Sequence, residues 1–199
     1  GVTAWNILDS TITDADVHQN AAIEPTKIRG TAVNLSDAQT ISGTKTFEDL
    51  NIETTTRRVS ISNAAFVPRS NSQGFYRNSN YIRNATTGYW NLFAQVSLPD
   101  GASVTRVKAT YYDNEASYFG KMELFKVYMV TGSEIKMAEM QTSGTPGMTT
   151  ISDASIVSES ISNDGYNYYL ISTMSFSTTN TNMRLYGAEI EYTITRPLP

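Results

Sequence analysis

The segment Trp90-Asn91-Leu92-Phe93-Ala94-Gln95-Val96-Ser97-Leu98 carries Trp90, Leu92, Ala94, Val96 and Leu98 at every second position. Successive side chains of an extended strand point to opposite faces, so this row belongs on one buried face. Pro99-Asp100-Gly101 follows at once and closes the strand with turn residues suited to a hairpin. The same period recurs downstream. Val107, Ala109 and Tyr111 form the next inward row, which Asp113-Asn114 breaks. Asn163-Asp164-Gly165 is a hairpin signal leading into Tyr166, Tyr168, Leu170, Ser172, Met174 and Phe176 on one face. The last strand places Tyr186, Ala188, Ile190, Tyr192 and Ile194 on one face and Glu189 and Glu191 on the other.

Between these rows the pattern is less regular. Met122 to Val130 is nearly continuous in apolar residues, which suits a central strand or one with a bulge that shifts its facing. Thr131-Gly132-Ser133 is a turn, after which Ile135, Met137 and Ala138 return. The loop Thr142-Ser143-Gly144-Thr145-Pro146-Gly147 precedes a weaker strand around Ile151 to Val157. Upstream, Val59 and Ile61 open a first short strand, and Phe66 and Val67 end before Pro68. Residues 69–88 read as a long polar loop. About eight short strands with hairpin turns and no convincing helix predict an all-β fold, an antiparallel β-sandwich of jelly-roll type.

Composition supports that class. Hydrophobic residues at 40% and charged residues at 17% leave a large share for Ser, Thr, Asn, Gly and Gln, as polar outer strand faces require. Twelve Tyr against seven Phe point the same way, since Tyr suits half-exposed sheet surfaces. The net charge of −4 argues against nucleic acid as a partner, which calls for a basic face. No stretch approaches the ~18 apolar residues that span a bilayer, and no strand pattern suggests membrane insertion. Gly1-Val2-Thr3-Ala4-Trp5 lacks the charged start and apolar core of a signal peptide.

Residues 14–47 have a different texture. Val17, Ile23, Ile28, Val33, Leu35, Ile41 and Phe47 fit neither helical spacing nor a long alternating strand. Pro25, Gly30, Gly43 and many Ser and Thr lie between them. One copy of such a segment has too little apolar surface to offset its own ordering entropy, whereas several copies wound together bury their aliphatics against one another. Residues 1–57 are therefore expected to form an extended neck and residues 58–199 the sandwich. Candidates for burial between chains are Val17, Ile23, Ile28, Ile41, Phe47, Leu50 and Ile52.

Three phrases here carry a resemblance: Asp14-Ala15-Asp16-Val17, Ala21-Ala22-Ile23-Glu24-Pro25-Thr26-Lys27-Ile28, and Gln39-Thr40-Ile41-Ser42-Gly43-Thr44-Lys45-Thr46-Phe47. In this order they resemble the neck of bacteriophage tail fibres and of related phage-tail-like particles. The resemblance implies a parallel homotrimer whose neck joins an upstream fibre shaft or baseplate to a receptor-binding tip. It implies a place in the virion or particle, assembly in the bacterial cytoplasm, and a bacterial surface glycan or protein as receptor. A purely structural virion component, such as a fibre joint or a baseplate or capsid decoration protein, is the main alternative. A surface-polysaccharide hydrolase is a further one.

The chemistry available is narrow. Zero cysteines remove disulfides, thiolate nucleophiles and Cys-ligated metals together. The single histidine, His18, would build a His-based metal site only if three chains each supplied one ligand about a threefold axis. A Ser-His-Asp site would rest on the same residue, distant in sequence from the sandwich. Carboxylate pairs remain, because glycoside hydrolysis needs two acids about 5–9 Å apart. Glu189 and Glu191 sit at i and i+2 on one strand face, ~7 Å apart, as any polar strand face provides. They are expected to be a solvated outer surface. No enzyme activity, cofactor or metal is expected.

Aromatic and amide groups at strand ends stand out instead. Tyr76, Tyr81, Tyr112, Asp113, Asn114, Tyr118, Asn163, Asp164, Tyr166 and Asn180 are the candidate receptor contacts. Aromatic faces pack on the C–H surface of a sugar while Asn, Asp and Arg bond its hydroxyls. Tyr, Asn and Asp are also the ordinary residues of β loops, so each has a structural reading beside the functional one.

Overall fold

A computed structural model of the chain describes residues 54–70, 74–85, 88–114, 116–144, 146–176 and 182–194. The expected inter-chain residues Val17, Ile23, Ile28, Ile41, Phe47, Leu50 and Ile52 lie outside the described residues, as do His18 and Asn180.

Among the described residues eleven strands follow in order: β1 (Thr55–Ser62), β2 (Val67–Pro68), β3 (Phe75–Arg77), β4 (Ile82–Asn84), β5 (Gly88–Val96), β6 (Ser103–Asp113), β7 (Gly120–Tyr128), β8 (Ser133–Gln141), β9 (Gly147–Asp153), β10 (Tyr166–Phe176) and β11 (Met183–Ile194). The only helical piece among the described residues is one 3-10 turn at Asn63–Ala65. The first sheet runs β3-β4-β11-β6-β9, with β1 also paired to β11, and the second runs β2-β5-β10-β7-β8. All pairings are antiparallel. From β5 onward the chain crosses between sheets at each step except the β7–β8 hairpin, a jelly-roll-like β-sandwich.

Two strands lie where a long loop was expected. β3 and β4 fall within residues 69–88. Each has three residues, too few for a period of two to show, and they are held by pairing with each other and with Leu185 of β11. The strand expected at 151–157 instead spans Gly147–Asp153, where β6 supplies its partner. Thr55 to Arg57, placed in the neck by sequence, pair with Ile194 to Tyr192 as the start of β1.

The core lies between the sheets and is built from the alternating rows. Trp90, Leu92, Ala94 and Val96 of β5 meet Leu170 and Met174 of β10 and Met122 and Leu124 of β7 on the second sheet. Val107, Ala109 and Tyr111 of β6, Leu185 and Ile190 of β11, Ile82 and Ile61 face them from the first. Leu92, Leu124, Leu170, Leu185 and Ile190 are all fully buried, and each such side chain contributes about 1.5–3 kcal/mol relative to exposure. Tyr111 is buried as well, and its hydroxyl donates to the Lys121 carbonyl at 2.9 Å and pairs with Ser172 Oγ at 2.7 Å. Burial pushes its phenol well above the ordinary range, Ser172 opposing in part.

Three bulges set which residues turn inward. The register between β11 and β6 shifts between Leu185 and Gly187, leaving Tyr186 as an extra residue, and again between Glu191 and Tyr192, leaving Thr105 extra on β6. The β7–β8 register shifts at Leu124 and Phe125, so Met137 and Ala138 are both buried. β7 itself keeps its parity: Met122 and Leu124 face inward, and Phe125 and Val127 remain partly exposed.

Candidate functional site

The outer face of the first sheet can be read from the strand register, since directly opposed residues share a face. Arg58, Glu191 and Arg106 form one rung, and Ser60, Glu189, Lys108 and Ser152 the next. Ser62, Gly187, Thr110 and Thr150 form a third, and Arg184, Tyr112 and Met148 a fourth. On the other side of β11, the Ile82–Leu185 pairing places Arg83 of β4 next to Arg184, and Tyr76 of β3 opposes Arg83.

A groove of about 550 Å³ opens on this face over the second and third rungs. That volume is within the ~300–1,000 Å³ usual for small-ligand sites. Its floor is at Gly187, and Tyr186, Met148, Lys108, Glu189 and the hydroxyl residues Ser60, Ser62, Thr110 and Thr150 line it. The bulge explains its presence. Tyr186, expected on the inward row with Ala188, is the extra residue of the bulge and lines the groove instead. Gly187 beside it has φ +154° and no side chain, and a Cβ there would stand 2.7 Å from the Ile61 carbonyl oxygen. Bulges commonly re-aim side chains at the rims of sites.

At one end of the groove the ring of Tyr186 lies 5.8 Å from that of Tyr81. The Arg184 guanidinium carbon stands 4.8 Å from the ring centre of Tyr81 and 4.8 Å from that of Tyr112. The Arg83 guanidinium is 4.2 Å from the Tyr76 ring centre. Met148, opposite Tyr112, is exposed. The result is a cross-strand row of tyrosine and arginine contiguous with the groove.

At the other end sits an ion cluster. Arg58 Nε donates to Glu191 Oε1 at 3.1 Å, and Lys108 Nζ bonds Glu191 Oε1 at 2.5 Å and Glu189 Oε1 at 3.1 Å. Arg106 Nε is 3.7 Å from Glu191 Oε2. Hydrogen bonding to Lys108 and then Arg58 holds the Glu191 carboxyl below its ordinary range, and the bonds to Glu191 and Glu189 raise Lys108. The sequence placed these two carboxylates on a solvated face. They do lie on the outer face, but Glu191 is buried by its ion partners. A carboxyl held ionised by cations is a poor general acid, which needs a raised pKa.

The remaining candidates are spread over both ends of the sandwich. Asp113 is fully buried and accepts a hydrogen bond from the Thr142 hydroxyl, so it ties the loop after β8 to β6 and is closed to a receptor. Asn114 is exposed, and its backbone N–H donates to the Asn182 carbonyl at 2.9 Å. Tyr118 is partly buried against the core. At the opposite end Asn163 Nδ2 donates to the Leu98 carbonyl at 3.0 Å, and its N–H donates to Asp100 Oδ1 at 3.0 Å. Asp164 is exposed in the same turn. Tyr166 packs on Tyr128 with ring centres 5.1 Å apart, and Lys126 Nζ lies 4.5 Å from its ring. Asn163 and Tyr166 line a small recess of about 210 Å³. Of the nine candidates among the described residues, the structure brings Tyr76, Tyr81 and Tyr112 together on the outer face of the first sheet, and Asn163 and Tyr166 together at the small recess.

Sequence reasoning missed Tyr186, Arg184, Arg83 and Met148. Arg184 and Tyr186 do flank Leu185 in sequence, but only the bulge turns Tyr186 toward the groove. A second aromatic row on the outer face of the other sheet was also not foreseen. Phe93 and Phe125 lie 5.6 and 5.5 Å from Tyr169, whose hydroxyl donates to Glu134 Oε1 at 2.7 Å. Among the described residues no group of three or more His, Asp or Glu could hold a metal ion, and no helix is long and apolar enough to cross a membrane.

No protein-family model and no curated protein matches this chain. Among solved structures, similarity extends to β-rich modules at low identity. A xylan-binding module, CBM15, is 8% identical over 69% of this chain and 97% of its own, with a TM-score of 0.47. The C-terminal CBM6 of LamC, a marine enzyme of Zobellia galactanivorans, is 14% identical over 70% of this chain and 100% of its own, with a TM-score of 0.43. A family 35 carbohydrate binding module from Clostridium thermocellum is 11% identical over 67% of this chain and 97% of its own, with a TM-score of 0.41. At these scores nothing about this chain's ligand follows from them.

Proposed function

We propose that this chain is an adhesion module that binds a bacterial surface glycan on the outer face of its first sheet, as the tip of a trimeric tail fibre. The observation that carries the binding reading is the groove at Gly187, where aromatic, thioether and hydroxyl groups converge on one open surface. A pyranose presents apolar C–H faces and a rim of hydroxyls, and this lining offers a counterpart to each. Tyr186 and Met148 supply the apolar contact, and Thr110, Thr150, Lys108 and Glu189 the hydrogen bonds. Binding without cleavage is the proposed activity, because Glu189 and Glu191 are engaged by Arg58 and Lys108. The tail-fibre context and the trimer rest on the neck phrases of residues 14–47. Three shallow sites on one shaft raise avidity without any new contact.

The test is saccharide binding by the full chain and by Tyr186→Ala, read on a glycan array and then by calorimetry. Loss of one stacking ring of ~1–2 kcal/mol weakens affinity about tenfold. Equal binding by both proteins, with equal melting temperatures, refutes the groove as the site. Light scattering on the full chain tests the assembly: a trimer is expected, and a monomer at all concentrations refutes the fibre tip.

A further inference from the structure

Beyond the groove, and independently of it, we infer that the chain has a second saccharide surface. It lies on the outer face of the other sheet, along β5 and β10, and its ligand is a neutral oligosaccharide chain.

Alternation is the first ground. The inward row of β5 leaves Tyr89, Asn91, Phe93 and Gln95 on the outer face, aromatic and amide in turn. Opposite them on β10 stand Ser175, Thr173, Ile171 and Tyr169. Rings pack on the C–H surface of a sugar, and amides and hydroxyls bond its rim. Tyr89 is 70% exposed, and its ring lies 6.3 Å from that of Phe119. Phe93 and Phe125 flank Tyr169 in the row described above. Tyr89 and Phe93 are four residues apart on one strand, ~14 Å. One pyranose does not span that distance, so the ligand is a chain of sugars.

Charge is the second ground. Neither β5 nor β10 contains a charged residue. Beside them, among the described residues, Arg69, Lys121 and Lys136 are balanced by Glu123, Glu134 and Glu139. Lys121 Nζ is 3.1 Å from Glu123 Oε2, and Lys136 Nζ is 3.5 Å from Glu123 Oε1 and also bonds Glu139. The Arg69 guanidinium carbon stands 6.0 Å from the Phe93 ring centre, and Glu134 accepts from the Tyr169 hydroxyl. A surface so balanced offers a polyanion no net attraction and matches a ligand without charge.

The interleaved amides decide against a second copy of the chain as the occupant. Gln95 and Asn167 are exposed and Asn91 is partly so. A protein interface closing over them would take all three out of water, and each would need a new partner there. A sugar brings hydroxyls that bond the amides and leaves the surface wet. The strip is also ordered in advance. The Thr173 hydroxyl donates to Asn91 Oδ1 at 2.9 Å, and the bond to Glu134 restrains Tyr169, so less rotamer entropy is lost on binding.

The experiment is an array of neutral and anionic glycans probed with the full chain, then calorimetry on the strongest neutral member. Tyr89→Ala/Gln95→Ala and Tyr186→Ala are run beside it. Tyr89 and Gln95 are both exposed, so the melting temperature of that variant should match the wild type. Three results together support the inference: neutral binding is indifferent to salt, falls about tenfold or more in Tyr89→Ala/Gln95→Ala, and persists in Tyr186→Ala. A fall in each variant, with the number of ligands per chain halved, supports it together with the groove. Loss in Tyr186→Ala alone overturns the second surface and leaves the groove reading standing. Binding confined to anionic members overturns it as well. A lower mass by light scattering in Tyr89→Ala/Gln95→Ala, with saccharide binding unchanged, overturns it in favour of a contact between copies. No binding to any glycan overturns both readings.

Discussion

Replacing Gly187 by alanine tests the feature on which the groove depends. Gly187 has φ +154°, a region that L-residues avoid at a cost of ~1–3 kcal/mol. The added Cβ would also stand 2.7 Å from the Ile61 carbonyl oxygen. That neighbour is backbone, fixed by the pairing of β1 with β11, so it cannot rotate aside. Separating the two strands locally adds ~1–2 kcal/mol, giving about 2–5 kcal/mol in all. At ~3–4 °C per kcal/mol for a domain of this size, the midpoint should fall by ~6–20 °C. Near-ultraviolet circular dichroism, which follows buried Trp90, is the assay. Gly132→Ala is the control: φ is +72° there and nothing lies within 4 Å of the added Cβ. It should show only the left-handed penalty of ~1–2 kcal/mol. If Gly187→Ala melts with or above Gly132→Ala, the contact with Ile61 is not as described and the account of the groove floor fails.

Two further expectations concern the core and the ion cluster. Gly120→Ala would place a Cβ 2.6 Å from Cδ1 of Tyr111, whose ring is pinned by its hydroxyl bonds to Lys121 and Ser172. Overpacking of ~1–3 kcal/mol is expected in urea unfolding, and a background of Tyr111→Leu should remove most of it. Strict additivity of the two substitutions would refute the contact. For pH, the Glu191 carboxyl is depressed from its ordinary 4.5, mainly by Lys108. Its contribution is therefore present above that value and is lost as pH falls through the lower folded pKa. Lys108 is raised from 10.5, mainly by Glu191, so its contribution is full below 10.5 and is lost as pH rises through the higher folded value. Urea midpoints of the wild type and Glu191→Gln should differ at pH 7 and converge toward pH 3. A constant difference across that range would count against the ion cluster.

The strands with long alternating rows were legible because burial of one face imposes a period of two on the sequence. Trp90 to Val96 and Tyr168 to Met174 show it, and their inward residues are the core. The turn at Asn163-Asp164-Gly165 was legible for a similarly local reason, since Gly165 takes φ +79°, but it carries the chain from β9 of one sheet to β10 of the other and does not close the hairpin that the sequence suggested. β3 and β4 were not, because three-residue strands carry no period and owe their existence to pairing with β11, about a hundred residues away.

The site was legible only in part. Tyr76, Tyr81 and Tyr112 were singled out for chemistry shared with every β loop, and the sequence could not separate them from Asp113 or Tyr118. Their convergence needs Arg184 between Tyr81 and Tyr112, a contact between residues 81, 112 and 184 that no local pattern records.

By itself, then, the sequence determined the all-β class, the inward rows and several of the turns, because alternation and turn chemistry act between residues adjacent in the chain. The tertiary structure decided which way Tyr186 faces, that Glu191 is clamped by cations, and that arginines and tyrosines share one row. The physical reason is register. A one-residue bulge exchanges the inner and outer faces of everything beyond it, and bulges arise from the fit of one strand against another.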